Sequence, residues 1–255
     1  MMVQTPETLA ETVARLREDY RALMQRLEAN QEEFRRLGRA AFRIQEEERR
    51  RLSRELHDGL GQNLTALKHR LSLLGTRAGP DAAWIAGLEE AIELCNRSLA
   101  ETRELSRLLR PQILDDLGLE AALGWLGRTL GPPAGVDIRV RVAPLPTLDG
   151  DLQTLVFRVV QEALVNIARH AGAGAAWVHV GEAAGILRLE VGDDGRGFDV
   201  EAAQARASRG ESAGLGGMRD RLALYGGRLH ISSGPGGTRL EAAVPLPGPD
   251  GTLAP

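Results

Sequence analysis

The stretch Asp193-Asp194-Gly195-Arg196-Gly197-Phe198 decides the fold of the C-terminal half, because it follows directly on an apolar strand pattern at residues 186–191. Glycine lets the backbone approach a ligand closely, and an acid at a strand end can accept a hydrogen bond from an amino group such as that of adenine. Taken alone, an Asp-Gly pair is an unremarkable turn. The neighbouring segments of the chain are needed to choose between these interpretations.

A predicted helix lies upstream, at residues 152–170, with apolar side chains at helical spacing. Its other face carries polar side chains one or two turns apart: Glu162, Asn166, Arg169 and His170. A carboxylate and a carboxamide four residues apart can hold a hydrated Mg²⁺, and a basic pair one turn later can meet phosphate. By itself, this helix is better interpreted as one with an ordinary solvated face.

A glycine-rich stretch lies downstream and leads into a predicted helix at residues 218–225: Gly214-Leu215-Gly216-Gly217-Met218. Glycine-rich backbone at a helix N-terminus is a phosphate site on physical grounds. The small and polar residues 199–213 before it predict a mobile lid. Alternating apolar residues predict further strands at 136–142, 177–180, 229–232 and 238–244. These segments together predict an ATP-binding sandwich.

The N-terminal residues 9–44 repeat core-type side chains at alternating steps of four and three, which predicts a coiled coil. Asn30 on this seam is expected to cost stability while fixing a two-stranded register. The alternative is a helix that packs on its own chain. After Ile44 the step changes, since Leu52, Leu56 and Leu60 follow one another by four. Such a stutter locally unwinds a coiled coil and is a place where a signal can change helix packing.

The next segment predicts a helical hairpin, with a break near residues 75–81 and an end at Pro111. Two copies would bury their faces as a four-helix bundle. The first hairpin helix contains Glu55-Leu56-His57-Asp58-Gly59-Leu60-Gly61-Gln62. Asp58 can hold the imidazole tautomer of His57 and accept its proton, which leaves the other ring nitrogen as a nucleophile. The alternative is an ordinary surface histidine.

Composition restricts the class of protein. A length of 255 residues fits two modest domains, and a net charge of -3 argues against a general nucleic-acid binder. Cys95 is the only cysteine, so no intrachain disulfide forms. The sequence shows no signal-peptide core and no stretch that approaches a membrane span, so we expect a soluble, cytoplasmic protein.

The order of these motifs resembles the bacterial sensor histidine kinases of two-component systems, in the subclass of nitrate and degradative-enzyme sensors. The resemblance covers residues 46–247: residues 48–58 match the phosphoacceptor box, and residues 110–119 match the segment that joins the two domains. It implies an α+β chain, with a coiled coil (1–46), a dimerisation and phosphoacceptor hairpin (47–112), an α/β sandwich ATP-binding domain (113–247) and a disordered tail (248–255).

The resemblance also implies a role for each motif residue. His57 would be phosphorylated, Asp58 would activate or orient it, and Gln62 would position water in a phosphatase reaction. The remaining roles concern ATP and Mg²⁺: Asn166 and Glu162 at the metal, Arg169 and His170 at phosphates, Asp193, Gly195, Gly197 and Thr238 at adenine, and Gly214, Leu215, Gly216 and Gly217 in the phosphate cradle.

Two departures from the family pattern concern the nucleotide. Ser212 stands where the glycine-rich motif usually begins with glycine, and Asp194 stands where asparagine is common. Both predict modest ATP affinity with activity retained.

The expected reaction is autophosphorylation of His57 from Mg-ATP, followed by transfer to an aspartate of a response regulator. The expected partners are a second copy of the chain and a regulator with a helix-turn-helix output domain, with no direct nucleic-acid contact. The alternative is a phosphatase-dominated or regulator-sequestering dimer with little kinase flux. The signal is expected to be a cytosolic ligand or partner protein that acts on residues 3–44.

Overall fold

The computed structural model describes residues 9–75, 82–109, 112–209 and 214–246. The predicted turn at 76–81, Pro111, Ser212 and the predicted tail at 248–255 lie outside these residues, as does the side chain of His57. Within the described ranges, no helix combines the length and the apolar character that a membrane crossing requires.

The N-terminal half consists of three long helices: α1 (Leu9–Glu55), α2 (Gln62–Gly75) and α3 (Ala82–Leu109). A single π-helical turn, Leu56–Gly61, joins α1 to α2, where the sequence predicted uninterrupted α-helix. We call it the His57 turn. α2 packs beside α3, and the buried thiol of Cys95 donates to the backbone oxygen of Leu64 at 3.1 Å. The predicted helical hairpin is therefore confirmed.

The chain divides into two compact units between residues 41 and 42. In the first unit, the large apolar side chains of the predicted seam are exposed in the single chain: Val13, Leu16, Tyr20, Leu23, Leu27, Phe34 and Leu37. Charged side chains pair along the same helix, as between Arg36 and Glu33 at 2.9 Å. An apolar stripe flanked by charges is typical of a helix that pairs with another helix.

A fourth helix, α4 (Gln112–Ala134), covers most of the predicted joining segment at 110–119 and continues beyond it, where no helix had been predicted. Gly118, with a φ of 79°, interrupts it near its start. Beyond this break, side chains at steps of three and four are buried in the core: Leu119, Ala122, Leu123 and Leu126. The helix is thus an integral layer of the C-terminal domain.

The C-terminal domain is built on five strands: β1 (Asp137–Val142), β2 (Ala175–Ala183), β3 (Ile186–Asp193), β4 (Arg228–Gly234) and β5 (Gly237–Pro245). Their order in the sheet is β1-β2-β3-β5-β4, with β1 parallel to β2 and every other pair antiparallel. All five strands had been predicted, because apolar residues alternate with other residues along them.

Helices α4, α5 (Gly150–Asn166) and α7 (Gly214–Leu224) cover one face of this sheet. Val178, Val191 and Leu240 lie side by side on that face and join the helices in one core. The other face carries exposed polar side chains such as His179 and Glu241. This two-layer arrangement confirms the predicted α+β fold with an α/β sandwich.

The predicted lid also contains regular structure. Residues Val200–Ser208 form a short helix, α6, whereas residues 210–213 lie outside the described part. The glycine-rich stretch likewise differs from prediction, since α7 begins at Gly214 and not at Met218.

Candidate nucleotide site and phosphoacceptor turn

A cavity of about 430 Å³ opens between α5, α6, α7 and the ends of β3 and β5. It brings together residues from every motif of the C-terminal half: Glu162, Asn166 and His170 from α5 and the turn after it, Asp193 and Gly197 from the loop after β3, Gly214 and Leu215 from α7, and Thr238 from β5. These segments are far apart in the chain, so their convergence is a property of the fold.

The acidic wall of the cavity is Asp193, which is only 3% exposed. Its Oδ1 accepts a hydrogen bond from the backbone N–H of Gly195 at 2.8 Å. Burial raises the pKa of Asp193 above its ordinary value, while the N–H groups of Gly195 and Thr238 counteract this shift. A buried carboxylate in the wall of a cavity suits recognition of an amino group.

The loop from Asp193 to Gly197 is held by direct backbone packing against the β4–β5 hairpin. A Cβ at Gly197 would collide with the backbone of Gly234, and one at Gly237 would collide with the backbone of Asp193. Both glycines also have positive φ values, of 67° and 112°. Glycine is therefore required at these positions by both conformation and space.

Thr238 is oriented by a short chain of hydrogen bonds. Its Oγ1 lies 2.8 Å from Ser233 Oγ, which accepts from the backbone N–H of Phe198 at 2.9 Å. Because these groups link β4, β5 and the loop, the wall on this side of the cavity is held in place from three directions.

The predicted metal and phosphate motifs meet at the opposite wall. A Cβ at Gly214 would collide with Oε1 of Glu162 and would lie 3.7 Å from Nδ2 of Asn166. The first residue of α7 therefore rests directly on these two side chains. The N-terminus of a helix favours anions, so this corner combines a positive helix end with a carboxylate and a carboxamide.

Four predicted residues fall away from the cavity wall among the residues described. Arg169 is exposed, Gly195 hydrogen-bonds Asp193, and Gly216 and Gly217 lie on the following positions of α7. His170, in contrast, does line the cavity, from a π-helical turn (Ile167–Ala171) that ends α5.

The structure corrects the expected position of Asp194. Its Oδ1 accepts from the backbone N–H groups of Gly174 at 2.8 Å and Ala175 at 2.9 Å, which tie the loop to the start of β2. The N–H of Ala175, together with that of Gly174, lowers the pKa of this carboxylate. Asp194 therefore supports the loop from behind, and its charge is balanced by these donors.

Sequence reasoning missed several residues of the wall: Arg196, Phe198, Ala203, Arg206, Met218 and Ile231. Arg196 also pins the loop, since its Nε donates to the backbone oxygen of His170 at 3.0 Å. The spacing of Ala203 and Arg206 is that of one helical face, a signal that could have revealed α6.

The other predicted centre is the His57 turn. His57 and the exposed Asp58 lie within it, and Gln62, also exposed, begins α2. A π-helical turn is rare, appears mostly as a single turn inside an α-helix and is frequent at functional sites. Its i→i+5 hydrogen bonds bring residues five apart nearer to one side of the helix than in an α-helix.

Comparison with known proteins identifies both regions. Residues 48–114 match the family model described as "Histidine kinase", and residues 151–248 match that described as "Histidine kinase-, DNA gyrase B-, and HSP90-like ATPase". The cavity therefore lies in a domain of an ATP-binding family.

Curated relatives match the chain across both regions. Sensor histidine kinase MctS from Rhizobium johnstonii is 39% identical over 204 residues, which are 79% of this chain and 44% of MctS. Oxygen sensor histidine kinase NreB from Staphylococcus carnosus is 32% identical over 200 residues, 78% of this chain and 56% of NreB. The chain thus spans about half the length of these relatives.

Among solved structures, the histidine kinase domain from the Erythrobacter litoralis EL346 blue-light activated histidine kinase is similar with a TM-score of 0.45 and 18% identity. The match covers 72% of this chain and 94% of that one. The two family models and the relatives that span both regions are sufficient: the chain belongs to the sensor histidine kinases of two-component systems.

Proposed function

We propose that this chain transfers the γ-phosphoryl group of Mg-ATP to His57 and passes it on to an aspartate of a response regulator. The observation that carries the proposal is the convergence of Asp193, Asn166 and Gly214 on one cavity, in a chain whose phosphoacceptor region matches the histidine kinase family. Family membership implies a response-regulator partner, and we propose one with a helix-turn-helix output domain. Because the reaction consumes ATP, we propose that it takes place in the cytoplasm.

The two walls of the cavity contact different parts of the nucleotide. Asp193 accepts a hydrogen bond from the adenine amino group, and Thr238 supports the same side. The triphosphate extends toward the first turn of α7, where Gly214 and Leu215 offer backbone N–H groups to anionic oxygens. His170 and Arg206, which both line the cavity, add cationic or hydrogen-bonding groups on this path.

The residues present suit a magnesium ion that is held jointly with the nucleotide. No cluster of three or more His, Cys, Asp or Glu side chains occurs in the part of the chain that the structure describes. Mg²⁺ commonly takes one or two protein ligands and fills its other positions with phosphate oxygens and water. Asn166 and Glu162, beside Gly214, would hold it. When bound, the ion neutralises charge on the triphosphate.

At the other centre, a ring nitrogen of neutral His57 attacks the γ-phosphorus. A P–N bond forms as the bond to the β,γ-bridging oxygen breaks, and ADP leaves. The second ring nitrogen carries the proton, which Asp58 stabilises or accepts. Gln62, at the end of the same turn, positions water when the phosphoryl group is removed from the regulator.

We propose that two chains act together. The exposed seam of residues 13–37 supports a coiled coil, and the α2–α3 hairpin supports a four-helix bundle built from two copies. We retain the boundaries 1–46, 47–112 and 113–247 for the three functional regions. The relatives are named as kinases, and the described residues of the site do not favour a phosphatase-dominated or sequestering dimer over a kinase.

The test is incubation of the purified chain with Mg²⁺ and γ-labelled ATP, beside His57→Ala and Asn166→Ala. Label that is acid-labile, alkali-stable and absent from both variants supports the proposal. Arg169→Ala is the matched control for the cavity, because Arg169 lies on the same helical segment but away from the wall. If His57→Ala acquires label as the wild type does, the assignment of the acceptor is wrong.

A further inference from the structure

Trp177 of β2 lies on the polar face of the sheet, on the side away from helices α4, α5 and α7. Successive side chains of a strand point to opposite faces, so Ala176 and Val178 enter the core while Trp177 and His179 point outward. The indole is nevertheless half-buried, whereas His179 is exposed. What covers the indole is the neighbouring strand, β3.

The ring of Trp177 occupies the place where a side chain at residue 192 would stand. Trp177 and Gly192 face each other in the antiparallel register of β2 and β3. A Cβ at Gly192 would collide with the six-membered ring of the indole. Glycine inside a strand often marks such a close approach. Gly192 therefore admits the ring directly onto the backbone of β3.

Two charged side chains hold the indole in this position. Its Nε1 donates to Oε1 of Glu190 at 2.9 Å, on the same strand as Gly192. Nε of Arg239 lies 3.5 Å from that carboxylate oxygen, and Cζ of Arg239 lies 5.9 Å from the centre of the Trp177 ring. The face of an indole attracts such a cation. Strands β2, β3 and β5 are thus joined at one point, which we call the back-face cluster (Trp177, Glu190 and Arg239).

The back-face cluster lies directly behind the side of the cavity proposed for adenine. Gly192, under the ring, precedes Asp193, and Arg239 follows Thr238. Gly192 and Arg239 also face each other in the register of β3 and β5. Because side chains alternate between the two faces of a sheet, the cluster and the adenine side of the cavity are separated only by the thickness of the sheet.

The direction of the Asp193 carboxylate depends on the backbone on both sides of it. On the following side, Gly195 donates to the carboxylate and Gly237 packs on the backbone of Asp193. On the preceding side stands Gly192, which has no side chain and the greatest conformational freedom to lose on folding. A hydrogen bond weakens steeply as its angle bends, and a recognition group must be held within roughly 0.5 Å. The indole supplies the restraint that glycine lacks.

We propose that Trp177 is a positioning residue for base recognition: its ring, packed on Gly192, fixes the end of β3 and so directs the Asp193 carboxylate at the amino group of adenine. This inference rests on the proposed function, which assigns that carboxylate to adenine. Trp177 lies outside the cavity wall, so it acts on the nucleotide only through β3. Its effect is therefore confined to the base and does not extend to the triphosphate.

The preference for ATP over inosine triphosphate gives the first test. Inosine triphosphate keeps the ribose and the triphosphate but carries an oxygen in place of the amino group, so it cannot donate to Asp193. Wild type should bind Mg-ATP about tenfold or more tightly than the inosine nucleotide, because only ATP makes a hydrogen bond to the charged acceptor. Trp177→Ala should reduce this preference by about threefold or more, with the affinity for the inosine nucleotide changed by less than about twofold.

The matched control is His179→Ala, which truncates the next outward-pointing ring of the same strand. It should keep the wild-type preference. Equal losses of affinity for both nucleotides in Trp177→Ala would mean that the ring only stabilises the domain, and would overturn the proposal. A preference in Trp177→Ala equal to that of wild type would also overturn it.

A double-mutant cycle tests the contact between the ring and the backbone. Gly192→Ala places a methyl group where the indole lies, so it should reduce the preference for ATP when Trp177 is present. In a Trp177→Ala background the collision is removed, and the same change should alter the preference by less than about twofold. Losses that multiply would show that the two residues act independently, which contradicts the proposal.

A milder variant covers the case in which Trp177→Ala does not fold. Glu190 is half-buried and lies outside the cavity wall, so Glu190→Ala frees the indole from its anchor while leaving the ring in the protein. The preference for ATP should fall by about twofold or more, with the affinity for inosine triphosphate retained. An undiminished preference in Glu190→Ala would count against the proposal.

The proposed function and this inference fail in different ways. A wild type that binds both nucleotides equally would remove the role of Asp193 at adenine, and the role of Trp177 would fall with it. A wild type that prefers Mg-ATP, beside a Trp177→Ala variant with the same preference, would leave the proposed function intact and contradict only the role of Trp177.

Discussion

The helical half and the ATP-binding domain handle their apolar side chains in opposite ways. In the domain, residues such as Leu155 and Leu164 are completely enclosed by a core that one chain supplies. In residues 9–41, Phe34 is 73% exposed and the seam around it is open. Hydrophobic burial is the main source of folding free energy. The ATP-binding domain is therefore stable alone, whereas residues 9–41 need another helix. The difference predicts that nucleotide binding is a property of one chain and signalling a property of two.

The largest expected effect comes from placing charged residues on the exposed apolar seam of residues 9–41. Leu23→Glu with Phe34→Glu should raise the dissociation constant of the dimer by about a thousandfold or more, because each dimer loses four buried apolar side chains. Sedimentation measures the mass, and calorimetry should find Mg-ATP binding unchanged.

The control for the seam is Gln25→Glu, which adds one glutamate on the opposite face of the heptad. Loss of ATP binding in the seam variant, or loss of the dimer in the control, would undermine the division between the two halves.

A second prediction concerns the close packing under the cavity. Gly237→Ala should destabilise the domain by about 2–4 kcal/mol, since it combines a positive φ with a collision against the backbone of Asp193. Gly236→Ala is the neighbouring control, because a Cβ there meets nothing within 4 Å. Denaturant unfolding of the two variants measures the difference. Equal stabilities would show that the loop relaxes freely and is not held by the hairpin.

A third prediction follows from the raised pKa of Asp193. The carboxylate must be ionised to accept a hydrogen bond from adenine, so ATP affinity should fall by about tenfold per pH unit below that pKa. Ionisation of Asp193 has the opposite effect on the stability of the folded domain. The folded domain holds this proton more tightly than the unfolded chain, so ionisation of Asp193 opposes folding as pH rises through its unfolded and then its folded pKa.

The measurement is ATP affinity between neutral and acid pH, in wild type and in Asp193→Asn. The variant should bind ATP weakly, and its affinity should not show the pH-dependent step that is due to residue 193. A step that persists in the variant would assign the pH dependence to another group.

The smallest effect is expected at Asp194. Its carboxylate accepts from Gly174 and Ala175, and Asp194→Asn retains an oxygen that can do the same. The change in ATP affinity should be less than about twofold. A large gain in affinity would restore the expectation, drawn from sequence, that this charge weakens nucleotide binding.

Local patterns were sufficient to predict the strands, α5 and the hairpin, because each shows its own periodicity. The helix α4 was missed for a physical reason. It contains glycines and a Pro132-Pro133 pair, which lower helix propensity. Its glycines serve packing instead: a Cβ at Gly127 would lie 3.3 Å from Ile138, and one at Gly131 would collide with the backbone of Val136. Tertiary contact with β1 overrides propensity here.

The motif residues of the candidate site could be selected from sequence, but their geometry could not. Asp193 and Asp194 are neighbours of the same type, yet one faces the cavity and the other faces the backbone behind it. The partner of Arg158 is Glu46, which lies 112 residues away in the chain, on a helix from the other half. Neither fact has a local signal, because both depend on how distant segments pack.

The most direct test of the account is to map the phosphoryl group after brief incubation with Mg-ATP, under conditions that preserve phosphohistidine. The chain has five histidines, including His69, His170, His179 and His230. We predict phosphate on His57 alone, and a chain with His57→Ala that still binds ATP but carries no phosphate. Phosphate on any other residue, or none on a wild-type dimer that binds Mg-ATP, would contradict the claim that ATP bound in the cavity phosphorylates His57.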